Sequence, residues 1–291
     1  MSAITQTSGP PPALDASEFA AISDLIQRSA GIVIAPGKAS MVQSRLAKRL
    51  RAHGLRDYAS YIDLIRSPSG SDELREMISA LTTNVTQFFR ESHHFNFLKD
   101  TALPPLIAKA KRGGRLRIWS AGCSSGQEAY SIAMVLAELE PEFAKLDIRI
   151  LATDIDASVI HEARNGLYDR AAIEGIPAPY RHKYLMSEGT NFRICEPLRR
   201  LVSYRELNLH ETWPMKGRFE IIFCRNVVIY FAAEAQNRLW HRFEDSLTDG
   251  GWLFVGHSER VPQRTDSRLH TAGITTYRLR ASRPEGSQPW H

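Results

Sequence analysis

The chain has 291 residues, of which 43% are hydrophobic and 24% are charged, and its formal net charge is +5. This composition is typical of a globular protein with one large domain and a smaller companion. It contains no apolar run of about 18 residues and no basic start followed by an apolar core, so we expect neither membrane insertion nor a signal peptide. The positive charge favours an acidic partner, and by itself it fits a nucleic acid, a membrane surface or an acidic protein.

The cysteines and histidines bear on compartment and metal binding. Cys123, Cys195 and Cys224 are odd in number and widely spaced, which favours a reducing, cytoplasmic environment over a disulfide framework. No pair of cysteines or histidines has the spacing of metal ligands, and the adjacent His93 and His94 are expected to point in different directions. We therefore predict that the protein uses no metal.

The N-terminal part of the chain is predicted to be helical. Residues 1–14 are expected to form a disordered tail, and residues 15–80 show helical periodicity without a strand pattern. Ser17 is the expected N-cap of the first helix. Residues 38–56 are basic and contain no acid, and their cations are Lys38, Arg45, Lys48, Arg49, Arg51 and Arg56. Such a run is either a plain solvated helix face or a surface for an acidic partner.

Residues 81–98 are predicted to link this helical domain to the rest of the chain. They begin with LTTNVTQFFRE, in which short polar side chains precede Phe88, Phe89 and Arg90. We expect the two phenylalanines to pack into a core, since large apolar side chains are usually buried.

From Arg115 onward, short β-rich apolar runs alternate with helical stretches. The runs lie at residues 115–121, 147–154, 218–225 and 251–258, and the helical stretches between them at 127–140, 157–166 and 232–247. This alternation predicts an α/β domain over residues 99–280 with an open, doubly wound, mostly parallel sheet. Residues 167–207 interrupt it with short strand-like pieces, which we interpret as a small antiparallel β-subdomain. Residues 281–291 are predicted to be a flexible C-terminal tail.

Ligands of open α/β sheets bind beyond the carboxyl ends of the strands, and three such ends carry polar residues here. After the first strand, the loop of residues 122–126 lacks the G-x-G-x-x-G spacing of a dinucleotide-binding turn. Glu128 opens the next helix, where a carboxylate disfavours a phosphate and suits an amino-bearing ligand. After the second strand, Asp154 is placed to accept hydrogen bonds from both hydroxyls of a ribose, while Asp156 fits an N-cap.

The third strand end supplies Arg225 and Asn226, with Tyr230 a few residues further on. The three ends together contain a carboxylate suited to a nucleoside and an acidic helix start, but no phosphate loop. This combination favours S-adenosylmethionine over NAD, because that cofactor has a ribose and a cationic amino acid tail but no phosphate.

Five blocks of sequence occur in a recognisable order: LTTNVTQFFRE..HHF, RIWSAGCSSGQEAYSIAM, ATDID, FEIIFCRNVVIYF and GGWLFVGHSE. In this order and spacing, from Asp15 to Arg280, they resemble the CheR family of bacterial chemotaxis methyltransferases, which esterify glutamates on methyl-accepting receptors. The resemblance implies the S-adenosylmethionine-dependent methyltransferase fold, a protein-glutamate O-methyltransferase activity and a role in sensory adaptation. Gly122 and Cys123 depart from the family's commoner loop, but both are small enough to leave room for the cofactor.

The resemblance implies a cofactor pocket built from the linker and the strand ends. Its members would be Asn84, Thr86, Arg90, Glu128, Asp154, Asn208, Leu209, Arg225 and Asn226. Glu128 and Asp154 would hold the amino acid and ribose parts of the cofactor, and Asn208 and Leu209 would flank the adenine. S-adenosylhomocysteine would be the product.

Arg90 and Tyr230 are the positions that the resemblance implies as catalytic residues, because they would orient the substrate side chain beside the methyl group. A glutamate, with an ordinary pKa of about 4.3, is already ionised at neutral pH, so the displacement needs no general base. This agrees with the motifs, which contain neither a Ser-His-Asp nor a Cys-His arrangement.

The resemblance also gives the basic run a use, which is docking against the acidic methylation helices of a receptor. The implied docking residues are Lys38, Arg45, Lys48, Arg49 and Arg51. Some members of the family also grip a tethering peptide at the receptor's C-terminus with the β-subdomain. The corresponding turn, MSEGTNFRI, is short and contains only Gly189, so we predict that this protein does not depend on a tether.

Two other functions fit parts of the sequence. An RNA methyltransferase would explain the positive charge, but it would need aromatic residues among its cations for base stacking, and residues 38–56 contain none. A non-catalytic nucleotide sensor would bind the cofactor without transferring a methyl group. We favour the glutamate methyltransferase and expect no binding to nucleic acid.

Overall fold

The computed structural model describes residues 12–281, so most of the two predicted tails, residues 1–11 and 282–291, lies outside the described part of the chain. The chain divides into two compact units, Met1–Thr83 and Asn84–His291. This division falls inside the predicted linker, and residues 84–98 therefore belong to the second unit.

Residues 12–83 form four α-helices, as the periodicity predicted. They are α1 (Ala16–Ala30), α2 (Ala39–Ala52), α3 (Tyr58–Arg66) and α4 (Ser71–Leu81), with a 3-10 turn at Pro36–Lys38 before α2. Each helix is amphipathic and buries large apolar side chains, among them Ile22, Leu46, Tyr61 and Met77.

The first helix begins earlier than predicted, because Asp15 and not Ser17 is its N-cap. The Asp15 carboxylate accepts a hydrogen bond from the amide of Glu18 at 2.8 Å, and the Glu18 carboxylate accepts one from the amide of Asp15 at 3.0 Å. This reciprocal capping box satisfies two helix N–H groups, which the Ser17 hydroxyl would not do from inside the helix.

Arg45, one of the predicted docking residues, is a helix cap inside the first unit. Its Nη1 donates to the backbone oxygens of Ala80, Leu81 and Thr82 at 3.4, 3.1 and 2.7 Å. These carbonyls end α4, where a helix leaves its last C=O groups without intrahelical partners and where a cation is favourable. Arg45 is therefore engaged within its own unit.

Arg49, a second predicted docking residue, is also engaged within the first unit. Its Nε donates to the buried Glu73 carboxylate at 2.9 Å, and its Nη1 lies 3.0 Å from Glu76. Tyr61 and His53 also contact Glu73, each at 2.6 Å. Burial alone would raise the pKa of this carboxyl, but its donors, Arg49 foremost, lower that pKa to about 2. Among the predicted docking residues, Lys38, Lys48 and Arg51 are the exposed ones.

The second unit contains ten strands and seven further α-helices within the described residues. The strands are β1 (Leu116–Ala121), β2 (Ile148–Asp154), β3 (Leu167–Tyr168), β4 (Leu185–Glu188), β5 (Asn191–Ile194), β6 (Val202–Glu206), β7 (Phe219–Cys224), β8 (Leu247–Val255), β9 (Leu269–Gly273) and β10 (Thr276–Leu279). The helices are α5 (Ser92–Phe97), α6 (Leu103–Lys111), α7 (Gln127–Leu139), α8 (Ala157–Asn165), α9 (Ala178–Tyr184), α10 (Glu196–Leu201) and α11 (Ala233–Ser246), with a π-helical turn at Leu98–Ala102.

Seven of the strands form one sheet, in the order β6-β2-β1-β7-β8-β10-β9. The first five of these are parallel to one another, whereas β10 is antiparallel to both of its neighbours. Alternate residues of the central strands enter two different apolar clusters: Phe223 belongs to one, and Ile222 and Cys224 to the other. Both faces of the sheet are therefore covered, which confirms the predicted doubly wound fold.

The antiparallel β-subdomain is confirmed as a three-stranded sheet in the order β3-β5-β4, but its predicted extent was too long. β6, which the prediction placed in the subdomain, pairs in parallel with β2 and forms the edge of the large sheet. Its sequence, VSYRE, has only two fully buried positions, so it lacks the apolar run that identified the other parallel strands.

The start of the second unit is held by aromatic packing. Phe88 is buried and lies edge-on to Tyr168 at 5.0 Å, and Phe89 packs 5.1 Å from both Phe95 and Tyr180. The expectation that these two phenylalanines pack into a core is confirmed. Between residues 12 and 281, no helix has both the length and the apolar character needed to span a bilayer.

Candidate active site

The predicted site residues meet where strand order reverses. β1 lies between β2 and β7 in the sheet, and all three strands are parallel. Their carboxyl ends therefore border one crevice. The register places Ala121 beside Thr153 and Ser120 beside Phe223. Residues that follow these three strands are therefore brought close together by the topology.

The loop of residues 122–126 bends tightly around the end of β2. The amides of Gly122 and Cys123 both donate to the Thr153 carbonyl, at 2.8 and 2.9 Å. Gly122 has a φ of +82°, and a Cβ at this position would lie 2.3 Å from Val227 Cγ2. Only glycine fits there, because the backbone conformation is left-handed and the loop after β7 leaves no space.

Asp154 lies at the end of β2 and is only 8% exposed. Its Oδ2 accepts a hydrogen bond from the amide of Ser124 at 2.8 Å, and its Oδ1 accepts one from the amide of Asp156 at 3.1 Å. Burial raises the pKa of Asp154, although these backbone donors act in the opposite direction. A carboxylate has about four lone-pair positions, so two remain for a ligand.

Asp156 is the N-cap of α8, as the sequence predicted. Its Oδ1 accepts hydrogen bonds from the amide and the hydroxyl of Ser158 at 2.9 and 2.6 Å. Its Oδ2 accepts one from the side-chain amide of Asn84 at 2.6 Å, and the backbone oxygen of Asn84 accepts one from the Ser124 hydroxyl at 2.8 Å. The segment that begins at Asn84 is thereby tied to both loops of the site, and Thr86 lies half-buried on the same segment.

A buried ion-pair network joins the end of β7 to the rest of the site. Arg225 Nη1 lies 3.2 Å from Glu128, and Arg225 Nη2 lies 3.3 Å from Glu91 and donates to the backbone oxygen of Arg90. Ser120 donates to the other Glu128 oxygen at 2.7 Å. Burial raises the pKa of Glu128, whereas the pKa of Glu91 falls to about 2 because Arg225 and other donors outweigh its burial.

The Arg90 side chain is half-buried, and its Nη1 donates to the backbone oxygen of Val85 at 3.2 Å. A guanidinium has five N–H groups, so this contact uses a small part of its donor capacity. Tyr230, 38% exposed, ends the 3-10 turn Val228–Tyr230 that follows β7. Both residues predicted to orient a substrate are thus at the accessible side of their segments.

Backbone strain concentrates in these segments. Of the five non-glycine residues with positive φ between residues 12 and 281, four lie here: Phe89 (53°), Glu91 (57°), Ser124 (48°) and Asn226 (59°). The left-handed conformation is costly for a residue with a Cβ and persists only where surrounding contacts enforce it. Two of these residues flank Arg90, so its backbone is fixed from both sides.

Asn208 and Leu209, predicted to flank an adenine, lie in the loop after β6. Asn208 Oδ1 accepts a hydrogen bond from the amide of His210 at 2.9 Å, and the Leu209 side chain is buried. Arg242 of α11 holds this loop, because its Nη1 donates to the Leu209 carbonyl at 2.7 Å and its guanidinium lies 3.8 Å from the Trp213 ring centroid.

His93 and His94 do not diverge, contrary to the sequence-based expectation. Their ring centroids are 4.1 Å apart, and one ligand atom from each lies with a Glu91 oxygen inside a group only 4.8 Å across. His94 is turned inward by its contact with Thr275 Oγ1 at 2.8 Å. Such residues can bind a metal, but the Arg225 guanidinium beside Glu91 would repel a second cation. That the protein uses no metal stays a prediction.

Glu91, Arg242 and Glu259 are charged residues that hold the site together and to which the sequence assigned no role. The Glu259 carboxylate accepts hydrogen bonds from the amides of the loop after β7, at 2.7 to 3.3 Å. Glu91 and Glu259 lie in two of the recognisable sequence blocks, and Glu259 follows the end of β8. Neither position indicated which groups the carboxylate would bind. Arg242 lies inside a helix and gave no such signal.

Comparison with known proteins agrees with this arrangement over nearly the whole chain. The model of the CheR methyltransferase all-alpha domain matches residues 17–82, and that of the CheR methyltransferase SAM-binding domain matches residues 84–277. A probable chemotaxis protein methyltransferase of Rhizobium etli is 48% identical over 259 residues, which cover 87% of this chain and 96% of the relative. The chemotaxis protein methyltransferase of Escherichia coli is 39% identical over 273 residues, which cover 92% of each chain. The chain therefore belongs to the CheR methyltransferase family.

Proposed function

We propose that this protein transfers the methyl group of S-adenosylmethionine to glutamate side chains of methyl-accepting chemoreceptors, giving glutamate methyl esters and S-adenosylhomocysteine. Family membership supports the methyl transfer, and the names of the relatives place those proteins in chemotaxis. The observation that carries the choice of a carboxylate acceptor is the Arg90 side chain. Its guanidinium donates one hydrogen bond, to the Val85 carbonyl, and so keeps N–H donors for a carboxylate. Its backbone is held between two residues of positive φ, Phe89 and Glu91.

The buried acids of the site fit the cofactor. Asp154 retains lone pairs for the two ribose hydroxyls, and Glu128 at the start of α7 offers a carboxylate to an ammonium group. The buried side chain of Leu209 suits the apolar face of an adenine. When bound, S-adenosylmethionine supplies a methyl group on a positively charged sulfur.

The site needs no proton acceptor for this reaction. A glutamate is ionised at neutral pH, so its oxygen can attack directly. Burial raises the pKa of the Cys123 and Cys224 thiols well above their ordinary values, which makes them poor nucleophiles. The contribution of Arg90 and Tyr230 is to hold the carboxylate in line with the methyl group, and such positioning can supply about 7–11 kcal/mol.

The helical unit is the proposed docking surface for the receptor. Lys48 and Arg51 are exposed on α2 and lie three residues apart, so they share one face, and the exposed Lys38 precedes this helix. Acidic methylation helices would be attracted to these cations, with a strength that falls as salt rises. Arg45 and Arg49 contribute by holding α2 against α4.

We also propose that docking does not require a receptor tethering peptide. Only Gly189 and Thr190 separate β4 from β5, and Arg193 pairs across this hairpin with Glu188. A two-residue turn between strands joined by an ion pair leaves little loop with which to bind a peptide.

The test is incubation of the purified protein with methyl-labelled cofactor and cytoplasmic fragments of candidate receptors, followed by alkali treatment and mapping of the labelled peptides. Label on glutamate that alkali releases is the expected result, because esters hydrolyse whereas methylated amines do not. The D154A variant serves as the control with an impaired cofactor site. Alkali-stable label, or label on RNA in a parallel incubation, would refute the glutamate assignment.

A further inference from the structure

The loop after β7 has a conformation that its own residues do not favour. Asn226 is left-handed with a φ of +59°, and the following residues turn through a short 3-10 segment to Tyr230. Neither the sheet nor a regular helix supplies acceptors for the amides of residues 226–229. An outside group must therefore bind these amides if the loop is to keep one conformation.

Glu259 is that group. Its side chain is 3% exposed and lies just after β8, the strand beside β7. Its two carboxylate oxygens accept five backbone hydrogen bonds of 2.6 to 3.3 Å. The donors are the amides of Asn226, Val227, Val228, Ile229 and Gly256. A carboxylate has about four lone-pair positions, more than any other side chain. Three of the five amides share Oε1, and the longest of these contacts, from Ile229, is 3.3 Å.

The fit around Glu259 is close. A Cβ at Gly256 would lie 2.6 Å from Asn226 Nδ2 and 2.9 Å from Glu259 Oε2. The sequence block GGWLFVGHSE thus places Gly256, which has no side chain, next to the loop and Glu259 three residues later. Both features serve the same contact between the β8 end and the β7 end.

The loop held by Glu259 connects three parts of the site. Arg225 at its start binds Glu128 and the Arg90 backbone. Val227 in its middle packs against Gly122, where no Cβ would fit. Tyr230 at its end is partly exposed to an incoming substrate.

We propose that Glu259 is a positioning residue for methyl transfer. By holding the loop of residues 226–230, it places Tyr230 beside the acceptor carboxylate and keeps Arg225 in contact with the Arg90 backbone. This inference rests on the proposed function for the role of Tyr230. Between residues 12 and 281, the Glu259 carboxylate accepts hydrogen bonds only from backbone amides of this loop and of its own turn, so it acts through the residues that it holds.

The test compares E259Q, E259D and E244Q with the unaltered protein. In E259Q an amide N–H replaces one carboxylate oxygen and faces backbone N–H donors, so the loop loses acceptors with little change in volume. E259D keeps the charge on a shorter side chain. Glu244 is a matched control, because it is also a buried carboxylate that accepts a backbone amide, from Arg268 at 2.7 Å, but outside this loop.

Three quantities are measured: hydrogen exchange of the amides of residues 226–229, affinity for S-adenosylhomocysteine, and the maximal rate of total methyl label transferred to receptor fragments. We expect E259Q to lose protection at these amides and to lower the maximal rate by about 10- to 100-fold, with cofactor-product affinity changed less than about threefold. E259D should recover part of both losses, and E244Q should show neither.

Unchanged exchange in E259Q, or an unchanged rate despite faster exchange, would overturn the proposal. So would a loss of product affinity equal to the loss of rate, since that would mean that Glu259 acts through the cofactor-pocket residues Arg225 and Asn226 and not through placement of the acceptor. Because total label is counted, alkali-stable label would refute the glutamate acceptor while leaving the effect of Glu259 measurable. If no label is transferred at all, the exchange result still decides whether Glu259 fixes the loop.

Discussion

The amide of Ser124 lies 2.8 Å from Oδ2 of Asp154, so the acidic end of β2 is tied to the loop that follows β1. The same carboxylate accepts from the amide of Asp156 through its other oxygen. One side chain thus shapes two loops of the crevice and still has lone pairs to offer a ribose. Loss of Asp154 should affect both the loops and the ligand.

D154A should weaken binding of S-adenosylhomocysteine at least 10- to 100-fold. A hydrogen bond to a charged group contributes about 1.5–3 kcal/mol, and about 1.4 kcal/mol corresponds to a tenfold change in affinity. Titration calorimetry measures this change directly. D245A is the control, because Asp245 is exposed on α11 in the same unit. Equal affinities of D154A and the unaltered protein would remove Asp154 from the ribose site.

R90A should lower the maximal rate of methyl transfer by about 100-fold while changing cofactor-product affinity less than about threefold, because a misplaced acceptor slows the chemical step more than it weakens cofactor binding. The Arg90 side chain contacts only the Val85 carbonyl among the hydrogen bonds of the described residues, so its removal should leave the fold intact. Steady-state kinetics with receptor fragments and calorimetry with S-adenosylhomocysteine separate the two effects. R112A, which removes an exposed arginine of the same unit, is the control.

A larger loss of affinity than of rate in R90A would contradict the assignment. It would mean that Arg90 holds the cofactor and that another group orients the acceptor. R90K sharpens the distinction, since lysine keeps the charge but loses the two-pronged geometry with which a guanidinium binds a carboxylate.

Reversing the charges of Lys48 and Arg51 to glutamate should slow methylation of an intact receptor and remove most of the salt dependence of that reaction. Both side chains are exposed, so the melting temperature and the affinity for S-adenosylhomocysteine should stay close to those of the unaltered protein. The control reverses Arg66 and Arg75, two other exposed cations of the helical unit.

Arg45 and Arg49 are unsuitable for this docking test because their loss would damage the fold. Arg45 caps α4, and Arg49 pairs with the buried Glu73. If the Lys48 and Arg51 variant methylates receptors normally at every salt concentration, α2 is not the docking surface.

The difference between these cations shows what sequence could and could not predict. The helical pattern placed Arg45, Lys48 and Arg49 on one face of α2, and α2 forms as predicted. The acceptors of Arg45 lie 35 to 37 residues away in the chain, and Glu73 lies 24 residues from Arg49. Periodicity reports the local face of a helix and not what packs against it, so the sequence could not separate capping cations from free ones.

The same physical limit applies to the sheet and to the site. β7 is buried at every position and was predicted from its apolar run, whereas β6 has charged residues and depends on a distant partner, β2. Asp154 could be placed in the crevice because parallel topology fixes where a strand end lies. Glu259 also follows a parallel strand, but its role could not be predicted, since its loop donors lie 30 to 33 residues earlier and offer only backbone N–H groups, which every sequence contains.

Acidification between neutral pH and about pH 5 should destabilise this protein by about 2 kcal/mol through His94. His94 is fully buried, and its burial, together with the nearby Arg225 and His93, lowers its pKa from 6.5 to about 3. The unfolded chain therefore binds a proton between these values that the folded chain does not. Its contribution to stability is complete above pH 6.5 and falls as the pH decreases toward 3.

Urea unfolding at neutral pH and at about pH 5, compared with the H94Q variant, isolates this contribution. Glutamine cannot titrate but keeps an N–H donor near the Ile274 carbonyl, which lies 3.2 Å from His94 Nε2. Glu91 does not interfere, because its pKa of about 2 lies below an ordinary value of 4.5, so it affects stability only at lower pH. We expect the free energy of unfolding of H94Q to vary by about 2 kcal/mol less over this range. Equal pH dependence of both proteins would show that His94 keeps an ordinary pKa in the folded state and that a proton can be accommodated beside Arg225.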